Sequence, residues 1–387
     1  MPAPEPRILP AELPAQCGPS PAAAPRVWLL LDDRPGHTTQ VIGLAEALGW
    51  PYEAKELRFT PLNRLSNRLL GASRLSLDKR PSSALTPPWP DLVIAMGRRT
   101  APIARWVKRQ SGGRTRLVQF GRKAANAADD FDLAVTCVHF QLPPHPKRLD
   151  LLLPPTQVTP GRLQQAAGHW ADLFGEAARP RVALLVGGTT AHHRLTAATA
   201  ERMAAEMQAF AEGLGGSLTC VTSRRSGAAV EAALRRGAAA AELHCWRRGQ
   251  HENPYLGYLA LADVLVVTGE SESMLAEAAD AAKPLYIYPI PARRPTWGAR
   301  LAGWVLARAR RGGSPLARLC GSLIQGGFVV PPRDLDLMHR GMVEAGVARQ
   351  FGAPPSSGGA ADATAAHAPR FAVLVGRVRQ LLETASP

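Results

Sequence analysis

The chain has 387 residues, more than one core normally supports, and 46% of them are apolar, enough to build two domains. Its 46 basic residues against 31 acidic ones leave a formal charge of +15, which favours anionic partners; no RRM, KH or zinc-finger pattern accompanies that surplus, and nucleic acid is not expected. No apolar run approaches the roughly 18 residues of a membrane span, and the five cysteines, at 17, 137, 220, 245 and 320, show neither a paired framework nor metal-ligand spacing, which suits a reducing, cytoplasmic compartment.

Residues 1–25, "MPAPEPRILPAELPAQCGPSPAAAP", lack the basic start and continuous apolar run of a secretion signal and read as a disordered leader. From Arg26 the chain alternates apolar runs of strand length with helical patterns. "VWLLLDD" at 27–33 leads through a turn, "RPGH", to "TTQVIGLAEALG", where Val41, Leu44, Ala45 and Leu48 recur at helical spacing. "DLVIAMG" at 91–97 precedes a helix closed by Ser111-Gly112-Gly113, and "TRLVQFG" at 115–121 and "FDLAVT" at 131–136 follow as strands. A connecting helix is expected over 161–180, after which "RVALLVGGTT" at 181–190 restarts the pattern. Helices near 196–213 and 227–237 and the strands "SLTCVTS", "ADVLVVTG" and "PLYIYPI" complete a second series. Such alternation is the signature of α/β folds with parallel sheets wrapped by helices. The expected domains are 26–177 and 178–348, followed by a low-complexity linker at 349–369 and an amphipathic helix at 370–384 that carries Phe371, Val373, Leu374, Val378 and Leu381.

Ligands of open α/β sheets bind at the carboxyl ends of strands. Five strand-end loops there are polar or glycine-rich: Arg34-Pro35-Gly36-His37, Gly97-Arg98-Arg99-Thr100, Gly187-Gly188-Thr189-Thr190, Ser223-Arg224-Arg225-Ser226 and Thr268-Gly269-Glu270-Ser271. The last opens a small-residue helix whose start can present backbone N–H groups to a phosphate. Yet Glu270, Glu272 and Glu277 stand in the same stretch, and carboxylates repel phosphate. Either they settle the helix dipole or they serve a ligand that bears hydroxyls as well.

"RPGHTTQVIGLAEALG", "DLVIAMGRRTAPIAR", "VTSRRS" and "NPYLGYLALADVLVVTGESESMLAEAADAAKP", in that order, resemble the ELM family, named for a plant mitochondrial-fission factor and made up mostly of bacterial proteins described as glycosyltransferases. The resemblance runs from about residue 26 to 345. That family is similar in turn to GT-B glycosyltransferases. It implies a GT-B-like α/β architecture of two tandem Rossmann-like, doubly wound domains with a cleft between them and a C-terminal helix, acceptor in the first half and nucleotide-sugar donor in the second. There are departures: members commonly show Gly-His, one residue and then Asn-Gln, where this chain has Gly36-His37-Thr38-Thr39-Gln40, and commonly Asp at the position of Glu270.

In GT-B enzymes that make lipid-linked peptidoglycan precursor, a Glu seven residues before the proline at the helix end binds the donor ribose. Glu277 stands seven before Pro284 and is the corresponding candidate. Glu270 and Glu272 then cap the helix or meet arginines. For the donor diphosphate, Gly187, Gly188 and Thr189 offer backbone and hydroxyl donors, Ser223, Arg224 and Arg225 a hydroxyl and two guanidinium groups, and Thr268, Gly269, Ser271 and Ser273 the turn and helix start. With that charge supplied by protein, no cofactor and no essential metal are expected; Asp334-Leu335-Asp336 spells a metal-type D-x-D but reads as a helix start. His37 is the candidate base for the acceptor hydroxyl, with donation to the diphosphate or a purely structural turn as its alternatives. Asp33 is the alternative base and, with Gly36, Arg98 and Arg99, a candidate acceptor contact. The basic stretch at 293–311, with Trp297, Leu301, Trp304 and Leu306, is either an interfacial helix on anionic lipid or a core helix with a charged outer face.

The resemblance therefore implies transfer of a sugar from a nucleotide diphosphate to a cell-envelope glycolipid or lipopolysaccharide-core acceptor, in the cytoplasm or at the inner face of the cytoplasmic membrane. The alternative is a non-catalytic, membrane-associated adaptor of the mitochondrial-fission kind. A Rossmann oxidoreductase ranks below both, because no G-x-G-x-x-G follows any strand.

Overall fold

The computed structural model describes residues 24–121, 128–250, 252–352 and 372–383. Most of the expected leader, residues 353–369 of the expected linker, and Phe371 lie outside them.

The first series of elements is β1 (Val27–Leu31), α1 (Pro35–Leu48), β2 (Tyr52–Glu56), α2 (Asn67–Leu70), β3 (Leu92–Met96), α3 (Ala101–Gln110), β4 (Arg116–Phe120), β5 (Leu133–Cys137) and β6 (Arg148–Leu151). Its six strands form one parallel sheet in the order β2-β1-β3-β4-β5-β6. Successive side chains of a strand point to opposite faces, and "VWLLL" is apolar on both because both are covered. Val27 and Leu29 pack with Val41 and Leu44 of α1, while Trp28 and Leu30 pack with Ile103 and Val107 of α3.

The second series is α4 (Pro160–His169), β7 (Arg181–Val186), α5 (Ala197–Gly213), β8 (Ser217–Thr222), α6 (Ala228–Gly237), β9 (Glu242–His244), α7 (Tyr255–Leu261), β10 (Val264–Thr268), α8 (Glu272–Asp280), β11 (Leu285–Tyr288), α9 (Trp297–Arg311), α10 (Pro315–Gln325), α11 (Leu335–Glu344), β12 (Arg349–Gln350) and α12 (Ala372–Glu383). A second six-stranded sheet has the order β12-β11-β10-β7-β8-β9. The molecule is thus an α/β protein with two doubly wound, Rossmann-like sheets, as expected. By backbone proximity the described chain divides into two compact units: Pro160–Thr189 with Leu195–Leu265, and Pro25–Thr159 with Thr190–Arg194 and the chain from Val266 onward.

Three boundaries differ from expectation. "RPGH" is not a free turn, because α1 begins at Pro35 and the amides of His37 and Thr38 already bond to Arg34 O. The helix expected over 161–180 ends at His169; the chain then turns, with Leu173 N on Trp170 O and Gly175 at φ +50. Arg349 and Gln350, placed in the linker from composition, pair with Tyr286 and Ile287 as an edge strand. The terminal helix does dock on the body: Leu374 and Val378 of α12 are fully buried in the core shared by the first sheet and α1.

Candidate active site at the ends of the first sheet

The order of the first sheet reverses between β1 and β3, and in open parallel sheets the crevice outside the carboxyl ends at such a reversal is where ligands bind. Asp32 follows β1 and Gly97 follows β3, so both stand at that crevice. A cavity of about 500 Å³ lies there, lined among others by Asp32, Arg34, His37, Arg98, Arg99 and Thr136.

His37 lies in the first turn of α1, and its Nδ1 sits 2.9 Å and 3.0 Å from the two carboxylate oxygens of Asp32. The Asp32 side chain is 1% exposed and that of His37 20%, so the pair has one closed end and one open end. A carboxylate only accepts, so Nδ1 carries the proton and, in the neutral ring, Nε2 carries the lone pair. Gly97 makes room for the imidazole: at φ +87, a Cβ there would come 2.7 Å from His37 Cε1. The β3–α3 turn that holds Gly97 is fixed from below by the Thr100 hydroxyl, which donates to Met96 O at 2.8 Å, and by Gln119 Nε2, which donates to Gly97 O at 3.0 Å.

Asp33 points away from this pair and meets Arg99 Nη1 at 2.6 Å, half exposed. Arg98 donates to Leu65 O at 2.6 Å and to Asn63 O, which fastens it beneath the cavity edge. Its guanidinium is drawn below the ordinary arginine range, first by burial and then by the like charges of Arg99 and Arg34. Three crowded cations are what an anion would relieve.

A second cluster shares the cavity wall. Cys137, at the end of β5, His139, two residues on, and Glu272, in the first turn of α8, hold their ligand-type atoms within 4.8 Å of one another. His139 is fully buried, its Nε2 3.2 Å from Glu272 Oε1, and Arg333 donates to the other carboxylate oxygen. Burial would raise Glu272, yet contact with His139 and the charge of Arg333 bring it below the usual carboxylate range. Burial, with the Glu272 charge adding to it, pushes the Cys137 thiol well up. Thiol, imidazole and carboxylate are donors that zinc accepts. As the cluster stands, Arg333 occupies one oxygen of Glu272 as an ion pair, with His139 and Cys137 beside it. Glu272 thus meets an arginine, as one reading of the sequence had it.

The other expected site residues fall into two further loops. At the end of β7, Gly187 and Gly188 are buried, and a Cβ on Gly188 (φ +146) would meet Arg225 O at 2.3 Å. Ser223 Oγ is spent on Gly187 O, Thr189 Oγ1 on Leu195, and Arg224 and Arg225 are exposed. At the end of β10, Thr268, Gly269, Glu270 and Ser271 are all buried, the Thr268 hydroxyl donates to Glu270 Oε1 at 3.2 Å, and His339 Nε2 donates to Gly269 O at 2.8 Å. Ser273 is exposed and Glu277 half-buried on α8, while Gly36 is exposed on α1. Asp334 caps α11, its carboxylate accepting from Asp336 N at 3.2 Å, so the D-x-D is a helix start.

Sequence reasoning missed Asp32, Thr136, Cys137 and His139. Thr136 Oγ1 is buried in the cavity wall with no hydrogen-bond partner among the described residues, a pattern that no local motif announces.

Comparison with known proteins places residues 35–302 in a match to the family described as mitochondrial fission ELM1. The chain is 26% identical over 221 residues to mitochondrial fission protein ELM1 of Arabidopsis thaliana, covering 51% of each chain, so it spans about half the length of that relative. It is 23% identical over 303 residues to an uncharacterized protein of Rickettsia prowazekii, covering 68% of this chain and 83% of that one. Among solved structures it is similar to MurG of Acinetobacter baumannii (13% identity, TM-score 0.40, 93% of each chain) and to the UDP-GlcNAc 2-epimerase of Neisseria meningitidis (11%, TM-score 0.38, 82% of this chain and 98% of that one).

Proposed function

This chain belongs to the mitochondrial fission ELM1 family, and from the geometry of its site we propose that it is a glycosyltransferase, moving a sugar from a nucleotide diphosphate to a hydroxyl of a cell-envelope glycolipid or lipopolysaccharide-core acceptor. The observation that carries the reading is the Asp32–His37 pair, open on one side to a cavity crowded with arginines. His37 Nε2 takes the proton of the acceptor hydroxyl as its oxygen bonds to the anomeric carbon. The bond from that carbon to the diphosphate breaks, and the nucleotide diphosphate leaves with the electron pair. Asp32 stabilises the imidazolium that forms. Arg34, Arg98 and Arg99 suit an acceptor that is itself anionic. For the donor, the reading keeps Glu277 on the ribose and the loops at Gly187–Thr189, Ser223–Arg225 and Thr268–Ser273 on the diphosphate, with no cofactor and no metal. No described helix is long and apolar enough to cross a membrane; a glycolipid acceptor would call for peripheral contact with the cytoplasmic membrane.

The test is a thermal-shift panel of nucleotide diphosphates and nucleotide sugars, since a ligand at about 100 times its dissociation constant stabilises by roughly 2.7 kcal/mol. A response identifies the donor for a transfer assay. Silence across the panel turns the assignment to the second reading, a membrane-associated adaptor. The name of the plant relative favours that one.

A further inference from the structure

From Pro284 to Pro332 the chain contains no Asp or Glu and seven arginines, at 293, 294, 300, 308, 310, 311 and 318. This is the stretch that folds into α9 and α10. Trp297, Leu301 and Trp304 recur at helical spacing on one face of α9 and are 85%, 63% and 51% exposed. The helix is anchored by other residues: Val305 and Leu306 close against Cys320 and Ile324 of α10. Among the described residues the apolar face has no partner, and 100° per residue puts Arg308 and Arg311 along it and Arg300 at its edge.

The surface continues past α9. On α10, Leu319 is 57% exposed, and beyond it Phe328 is 67% exposed. The Arg68 guanidinium of α2 stacks 3.7 Å over the Phe328 ring and donates to Gly326 O, which joins to this surface the segment that exposes Leu65 and Leu69. Between α9 and α10 runs a groove of about 770 Å³ whose walls include Leu306, Ala317, Arg310 and Arg318. Exposed tryptophans, leucines and arginines without a single carboxylate match an anionic lipid headgroup layer, where indole rings settle at the interface and guanidinium groups pair phosphate. A protein partner of ordinary surface would leave that concentration of positive charge unmatched.

We propose that the α9–α10 face, extended by the α2 segment, docks the protein on anionic bilayers. The inference deepens the transferase reading by naming the surface that meets an acceptor's membrane, but its test reads vesicle binding alone.

The full-length chain is sedimented with phosphatidylcholine vesicles prepared with and without phosphatidylglycerol. The expected result is binding at least about tenfold stronger to the anionic vesicles and weakened by salt. A Trp297→Ser/Leu301→Ser/Trp304→Ser variant, altered only at exposed positions and checked for an unchanged melting temperature, should lose about tenfold or more. Arg300→Glu with Arg311→Glu should lose the preference for phosphatidylglycerol, at about fivefold per arginine. Equal binding to neutral and anionic vesicles, or undiminished binding by the triple variant, would overturn the proposal. So would a lipid-free dimer, seen by sedimentation velocity, that the triple variant abolishes, because the face would then belong to a second copy. A chain that binds vesicles through this face yet transfers no sugar would sink the transferase reading and leave the docking surface standing.

Discussion

At the scale of single residues, the site turns on which of two adjacent aspartates faces inward. Asp32 and Asp33 point opposite ways at the end of β1, Asp32 to His37 and Asp33 outward to Arg99. The sequence singles out His37 from its place after a strand and Asp33 as the alternative base, but an Asp-Asp pair looks the same from either side, and it is Asp32 that meets the histidine. Asp32 shares its parity with Trp28 and Leu30, a signal too weak once the strand has ended. If His37 is the base, His37→Ala should lower turnover by about 10²- to 10⁴-fold, measured as nucleotide diphosphate release. Asp32→Asn should lower it too without weakening donor binding, because an amide can donate to Nδ1 and favour the wrong tautomer; Asp33→Asn should matter less. A parental rate in the His37 variant would leave that residue a structural one. Gly97→Ala tests the packing behind the ring. A side chain at φ +87, driven into the imidazole, should cost about 1–3 kcal/mol in urea unfolding and lower turnover by displacing His37; an alanine variant as stable and active as the parent would show that the ring does not need that space.

At the scale of elements, what could be read from sequence depends on whether a strand is covered on both faces. "VWLLL", "LVIAM", "RVALLV" and "VLVVT" lie inside sheets, so they are apolar throughout and announce themselves. The edge strands do not: β2 is "YEAKE", β9 "ELH" and β12 "RQ", half-solvated and indistinguishable from loop. For the same reason the composition of 349–369 hides β12, and a proline and a glycine read as a turn where α1 already begins, although proline suits the first helical position. The terminal helix was legible as amphipathic, and its docking gives a sharp test. Leu374 is fully buried in the core of the first sheet and Val373 is 63% exposed. Leu374→Ala should therefore cost about 2–5 kcal/mol in urea unfolding, and Val373→Ala no more than about 0.5 kcal/mol. Equal, small effects at both positions would mean that α12 does not dock in solution.

At the scale of the whole molecule, a formal charge of +15 sets how stability should respond to acid. As carboxylates protonate the positive excess grows and the compact state repels itself. A second contribution comes from half-buried histidines. His339, His193 and His244 all lie below the ordinary imidazole range, each chiefly through burial, with the charges of His192, His339 and Arg333 adding to it at His193 and that of Arg247 at His244. A group whose folded pKa is depressed binds fewer protons in the fold than in the unfolded chain, so its contribution is complete above the unfolded value, about 6.5, and is lost as pH falls through the folded one. Glu272, also depressed, acts later, below the ordinary carboxylate range. The melting temperature should hence fall between about pH 7 and pH 5 and fall again in stronger acid. Salt separates the two causes: it screens repulsion between surface charges but does little for the desolvation of a half-buried ring. His339→Gln, which can keep a donor to Gly269 O, should flatten the decline between pH 7 and pH 5 even at high salt. If the variant's decline matches the parent's while added salt removes both, repulsion alone governs the acid response and His339 has no part in it.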